Sequence, residues 1–169
     1  QADLKAAVLG AMGALSGLLH GGAPGPVLDM IDAIGSPEAA EAWIRDALER
    51  KERLMGFGHR IYRTRDPRAD VLKAGLRKLG PDNPKVRLAE EIEEAALAAL
   101  RQAKPDRPLD TNVEFYTAVL LDAIGIDRTL FTPLFAVGRT PGWCAHVLEQ
   151  QESGKLIRPS SRYVGPEPE

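Results

Sequence analysis

The sequence predicts an all-α protein, and three observations carry that reading. Apolar residues recur at three- and four-residue steps along almost the whole chain. Capping residues stand just before several of these stripes, twice followed directly by proline, at Ser36-Pro37 and Asp66-Pro67. No stretch alternates apolar and polar residues as a half-buried strand does, and no repeat is visible.

The elements follow in order. Leu4, Ala7, Val8, Ala11, Met12 and Leu15 form a first helical stripe that is expected to face a core, with Gly10, Gly13 and Gly17 permitting close packing. Gly21 and Gly22 break it. Pro26 suits the first turn of a second helix with Val27, Leu28, Met30, Ile31 and Ile34 inside, stopped by Gly35. Ser36, Pro37 and Glu38 start a third, burying Trp43, Ile44, Ala47, Leu48 and Leu54. Gly56-Phe57-Gly58-His59 interrupts again. Asp66-Pro67 opens a fourth helix carrying Val71, Leu72, Leu76 and Leu79.

Residues 85–103 read as a fifth helix with Val86, Ala89, Ile92, Ala96, Ala99 and Leu100 inside. Glu90, Glu91, Glu93 and Glu94 are expected to form its solvated acidic face. A polar loop from Lys104 to Pro108 follows. Asn112 caps a helix with Phe115, Tyr116, Val119 and Leu120, ending at Gly125. Asp127 caps a last apolar segment from Leu130 to Leu148, which Pro133 and Gly138 could bend. The tail from Gly154 onward, with three prolines, reads as extended.

Composition narrows the function classes. The chain has 169 residues, enough for one sizeable core, and a net charge of −2, which offers nothing global to nucleic acid or an anionic membrane. No apolar run is long enough to span a bilayer, and no basic-then-apolar leader opens the chain. The single cysteine, Cys144, fits a reducing compartment. The chain begins at Gln1 and enters a helical pattern at once, as a fragment or processed product would.

Four features could carry chemistry. His20 and His59 both sit at glycine-rich helix breaks, Leu19-His20-Gly21-Gly22 and Gly56-Phe57-Gly58-His59. Glycine there allows backbone and ligand to approach closely, and a histidine near a helix N-terminus can act as a neutral hydrogen-bond donor. Each could equally be an ordinary capping or surface histidine. From Lys51 to Arg68, six basic residues face two acidic ones, an excess of four positive charges, within a loop of glycine, proline and aromatic residues. Clustered arginines grip carboxylates and phosphates, although a charge run also serves as a solvated face. Glu114 lies in the first turn of an apolar helix, where a carboxylate usually serves the helix dipole. Arg139 interrupts an apolar segment and needs a partner, either a ligand or a structural counter-ion. His146, at helical spacing with Trp143 and Glu149, reads as a packing or interface residue. No cysteine or histidine pair has metal-ligand spacing.

Together these motifs resemble the citrate synthase family. The resemblance rests on Leu19-His20-Gly21-Gly22-Ala23, then Gly56-Phe57-Gly58-His59-Arg60-Ile61-Tyr62 with Asp66-Pro67-Arg68, then Asn112-Val113-Glu114-Phe115-Tyr116, and last the segment from Phe131-Thr132-Pro133 to Glu149. It covers essentially the whole chain and matches the C-terminal half of the family.

The resemblance implies an all-α, multi-helical citrate synthase-like fold. Residues 1–20 would belong to a large domain, 21–125 to a small domain, and 126–169 to the C-terminal part of the large domain and a dimer tail. It implies condensation of acetyl-CoA with oxaloacetate to citrate and CoA by a cytoplasmic homodimer, with no cofactor, no metal, no nucleic acid and no membrane. The alternatives are a 2-methylcitrate synthase using propionyl-CoA and a non-catalytic binding paralogue.

By similarity, His20 would donate to the thioester carbonyl, Glu114 would remove the methyl proton, and His59 would polarise and protonate the ketone. Arg68 and Arg139 would hold the oxaloacetate carboxylates, Arg158 would reach the partner subunit's site, and Arg60, Arg63 and Arg65 would contact CoA phosphates. The sequence departs from the family in two ways. The family's base is most often Asp, where Glu114 is one methylene longer. The family's first half, with most of the large domain and a further oxaloacetate-binding histidine, is absent, so this chain alone is expected to be inactive.

Overall fold

A computed structural model describes residues 2–17, 24–59, 61–62, 64–79, 82–107 and 109–166. Three candidate site residues, His20, Arg60 and Arg63, lie outside the described residues, as does the glycine break at 21–22. The described chain is helical: α1 (Leu4–Leu15), α2 (Pro24–Ile34), α3 (Pro37–Glu49), α4 (Pro67–Leu79), α5 (Pro84–Ala103), α6 (Val113–Ala123), a 3₁₀ turn (Arg128–Leu130) and α7 (Phe131–Ser153). Among the described residues the only extended pairing is an isolated antiparallel bridge between Phe57 and Thr111.

The boundaries follow from local chemistry. Asp3, Asn83, Asn112 and Asp127 each accept a backbone N–H at a helix start, satisfying donors that the first turn leaves unpaired. Gly35, Gly125 and Gly154 adopt positive φ just beyond helix ends. Helix α2 begins two residues before Pro26, at Pro24. Pro133 falls in the first turn of α7, where a missing N–H costs nothing, and Pro141 is the interior proline of that helix.

Two bodies can be told apart by packing. Helices α2 to α6 enclose the main core. In it α3 lies on α5, and both α2 and α4 lie on α6. Val27, Leu28, Ile31, Ile44, Leu76, Ile92, Phe115 and Tyr116 are almost wholly removed from water there. Each such side chain stabilises the fold by roughly 1.5–3 kcal/mol relative to exposure. The second body is α1 laid along α7. Three expectations about buried faces change. Only Leu15 of the α1 stripe is buried and Met12 is exposed, because one neighbour, α7, covers one side of that helix. Val71 and Leu79 of α4 point to solvent, and Ala69 and Leu76 take the core positions. Glu93 is not on the solvated face of α5; it is 2% exposed and lies in the core.

Candidate active site

The segment that carries His59 is shaped by two glycines at positive φ. A Cβ on Gly56 would stand 2.8 Å from Cβ of Phe115, and one on Gly58 would stand 2.9 Å from Leu109. Only glycine lets this strand-like turn lie so close against the start of α6. Backbone bonds then lock the two segments: Gly58 N–H donates to the Asp110 carbonyl at 2.7 Å and Asn112 N–H to the Gly56 carbonyl at 2.9 Å. The Asn112 side chain works in both directions. Its amide donates to the Gly58 carbonyl at 2.9 Å, and its oxygen accepts from Glu114 N–H at 3.0 Å, capping α6. His59 and Glu114 therefore share one rigid frame.

His59 is exposed, and its ring orientation is set locally. Nδ1 accepts from the backbone N–H groups of Ile61 and Tyr62 at 3.1 and 3.0 Å. The proton of the neutral ring accordingly sits on Nε2. Tyr62 stacks against the ring with centroids 4.6 Å apart. Nε2 lies 3.5 Å from a terminal nitrogen of Arg68. Both atoms carry N–H groups, so an oxygen acceptor placed between them would satisfy both.

Arg68 is held by Asp66. Its Nε and one terminal nitrogen donate to the two carboxylate oxygens at 3.0 and 2.8 Å. Among the described residues its other terminal nitrogen makes no hydrogen bond, which leaves a guanidinium edge for a ligand carboxylate. Asp66 is 1% exposed and also accepts Val113 N–H from the first turn of α6 at 3.1 Å. It thus ties the arginine to the helix that carries Glu114. Burial pushes the Asp66 carboxyl up, but its hydrogen bonds from Arg68 and Val113 outweigh that and hold it below the usual carboxylate range.

Glu114 is half-buried. Burial pushes its carboxyl above the usual range, the nearby Arg68 charge pulls it down, and the Asp66 charge pushes it up again; the net direction is upward. A carboxylate poised in this way is a stronger base than one in water and suits proton abstraction.

The other candidates stand apart from this group. Arg65 pairs with Asp70 and with Glu93, so a phosphate would have to compete with two carboxylates for it. Arg139 is exposed on α7, its guanidinium lying over Gly142, and among the described residues it has no ion pair. Arg158 is exposed in the tail, which has no helix from 154 to 166. His146 pairs with Glu149 at 3.2 Å on the surface of α7. Among the described residues no three His, Cys, Asp or Glu side chains gather as a metal site requires. Among the described residues no helix is long and apolar enough to cross a membrane.

Sequence reasoning treated Asp66 and Asn112 as caps and as members of motifs, and gave neither a role in the site. Their second bonds, across 47 and 54 residues of chain, make them part of the site. The available signal for Asp66 was its place between Arg65 and Arg68.

The family model "Citrate synthase, C-terminal domain" matches residues 1–160. Citrate synthase 2 of Bacillus subtilis is 43% identical over 168 residues, covering 98% of this chain and 43% of that protein. The 2-methylcitrate synthase of Mycobacterium tuberculosis is 42% identical over 168 residues, covering 99% and 42%. Among solved structures, citrate synthase from Thermotoga maritima matches with a TM-score of 0.85 at 43% identity, over 98% of this chain and 45% of that one. The ternary complex of carboxymethyl coenzyme A and oxaloacetate with citrate synthase from Thermoplasma acidophilum matches at 0.82 and 36% identity, over 96% and 44%. The chain thus spans less than half the length of the relatives it matches. Matched almost from end to end by the family model and by these relatives, the chain belongs to the citrate synthase family, whose C-terminal domain it carries.

Proposed function

We propose that this chain is the C-terminal part of a citrate synthase, an acyltransferase that condenses acetyl-CoA with oxaloacetate and releases citrate and CoA. The observation that carries the reading is the grouping of His59, Arg68 and Glu114 on one locked frame, with Glu114 raised above an ordinary carboxylate. The related Thermoplasma enzyme, bound to carboxymethyl coenzyme A and oxaloacetate, supports the choice of substrates.

Glu114 removes a proton from the acetyl methyl group while His20 donates a hydrogen bond to the thioester oxygen, stabilising the enol. The enol carbon attacks the ketone of oxaloacetate. His59, with its proton on Nε2, polarises that ketone and protonates it as the bond forms. Arg68 holds a carboxylate of oxaloacetate through its free edge, with Arg139 as a second anchor. Water then cleaves the citryl thioester. The acetyl-CoA is a substrate and no cofactor is required. Arg60 and Arg63 are assigned to the CoA phosphates, with Arg65, which is engaged by Asp70 and Glu93, as a lesser contact. The domain division at residues 20 and 125, the homodimer, Arg158 reaching into a partner's site, and a cytoplasmic location complete the reading. The N-terminal half that the relatives carry covers the apolar side chains left exposed on α1 and α7, including Leu9, Met12, Leu134 and Val137.

A second reading, 2-methylcitrate synthase acting on propionyl-CoA, is favoured by the relative of that name. The two substrates differ by one methylene, which a pocket discriminates by only about 1–3 kcal/mol. Release of CoA thiol by the full-length protein from acetyl-CoA and from propionyl-CoA, each with oxaloacetate, decides between them. No release from either would sink both and leave a non-catalytic paralogue. Arg68→Lys should raise the KM for oxaloacetate strongly and that for acetyl-CoA little, because lysine cannot reproduce the planar fork.

A further inference from the structure

Helix α5 contributes no residue to the site, yet it places one carboxylate in the core beneath it. Glu93 is 2% exposed and has four partners. Lys73 Nζ and Thr111 Oγ1 donate to it at 2.6 Å, Tyr116 OH at 2.5 Å, and an Arg65 terminal nitrogen lies 3.1 Å away. These partners come from the segments that carry the candidate machinery. Arg65 lies in the segment from His59 to Asp66, and Lys73 lies on α4 behind Arg68. Thr111 precedes the cap Asn112, and Tyr116 is two residues beyond Glu114 on α6.

Burial pushes the Glu93 carboxyl up, but the bonds from Lys73, Thr111 and Tyr116 outweigh it, and the group stays ionised below the usual carboxylate range. Burial and the same bond raise the Tyr116 hydroxyl, keeping it a donor. A buried charge in such a network adds little stability over an apolar side chain of similar volume. What it supplies is fixed direction: four donors from separate segments must converge on two oxygens.

We infer that Glu93 is a positioning residue, which fixes the segment bearing His59 and Arg68 against the helix bearing Glu114. It touches no substrate in this account. Its role in turnover rests on the reading of the site as that of a condensing enzyme; its role in geometry does not.

The test is Glu93→Gln in the full-length protein, beside Leu100→Ala, which opens the same helix's core away from the network. A misplacement of about 1 Å in a reacting group costs up to about 100-fold in rate. The kcat of Glu93→Gln should therefore fall about 10- to 100-fold while both KM values stay within about threefold, the signature of lost transition-state alignment. Leu100→Ala should lower Tm with kcat unchanged. If Glu93→Gln does not fold, Thr111→Val and Thr111→Ser replace it: the hydroxyl-bearing serine should keep kcat and the valine should lose it. Equal kcat in the wild type and in Glu93→Gln, or in the Thr111 pair, overturns the inference. An inactive wild type overturns the enzymatic reading instead. The geometry is then decided by crystals of Glu93→Gln, in which His59 must shift relative to Glu114; unchanged positions refute it.

Discussion

The body formed by α2 to α6 and the pair formed by α1 and α7 use similar apolar residues to different ends. In the first, Phe115 and Ile31 are wholly buried. In the second, Leu9 is 68% and Val137 69% exposed. Apolar content alone does not decide burial: α1 is nearly all apolar, with Lys5 its one charge, yet it is more exposed than the charge-rich α5. What differs is the number of neighbours. Each helix of the first body is covered by others of the same chain, whereas α1 and α7 mainly have each other. The group of His59, Arg68 and Glu114 sits in the closed body, so its geometry is set by contacts within the chain. The link between the bodies is part apolar and part polar: Phe131, at the start of α7, is buried in the main core, and Arg128, just before it, pairs with Asp29 and Asp32 of α2.

Substitutions can break or sharpen this contrast. Phe115→Ala should cost most, about 3–5 kcal/mol by chemical denaturation, because it empties a packed position between Phe57 and Tyr116. A cost under about 1 kcal/mol there would mean that the core body is loosely packed. Gly56→Ala comes next, at about 1–3 kcal/mol, combining a positive φ with a Cβ forced onto Phe115. It should also lower kcat, since it pushes on the start of α6. Val137→Ala should change the stability of the isolated 169-residue chain by no more than about 0.5 kcal/mol. A large loss there would show that α7 is covered after all.

Acid should act on the two kinds of carboxylate in opposite directions. Asp66 and Glu93 have folded pKa values below their unfolded ones, so their stabilisation is present above the unfolded value and is lost as pH falls through the folded one. Glu93→Gln should therefore blunt acid unfolding, followed by circular dichroism. An unaltered acid transition would contradict the lowered value. Glu114 is raised, so any stability it adds is present below its unfolded pKa and is lost as pH rises through the folded one.

Much of this was legible in the sequence, and the failures have physical causes. The stripes of α2, α5 and α6 matched their buried faces because the helices packed against each of them meet it along its apolar residues. Val71 and Leu79 misled because α4 buries a narrow stripe and its apolar count exceeds it. Glu93 was assigned to the surface by residue type, yet its position spoke otherwise: 86, 89, 93, 96 and 100 make one continuous stripe of α5. His59, Arg68 and Glu114 were singled out by their motifs, and the fold brings the segments that carry them together. The bonds that join them were not legible, because Asp66 and Asn112 act across distant parts of the chain, and no spacing rule reaches that far. His20 lies outside the described residues, and its role rests on the motif alone.

The central claim is that Glu114 is the base, and Glu114→Gln tests it most directly. Glutamine keeps the shape and cannot take the proton. Because burial already disfavours the charged carboxylate, the variant should keep its Tm or gain slightly at pH 7. Its kcat for CoA release should fall by about 100-fold or more, with oxaloacetate binding by calorimetry nearly unchanged. The wild-type kcat/KM should show an acid limb above the roughly 4.3 of a free glutamate. A Glu114→Gln protein that folds, binds oxaloacetate and turns over at near the wild-type rate would place the base elsewhere and contradict the account.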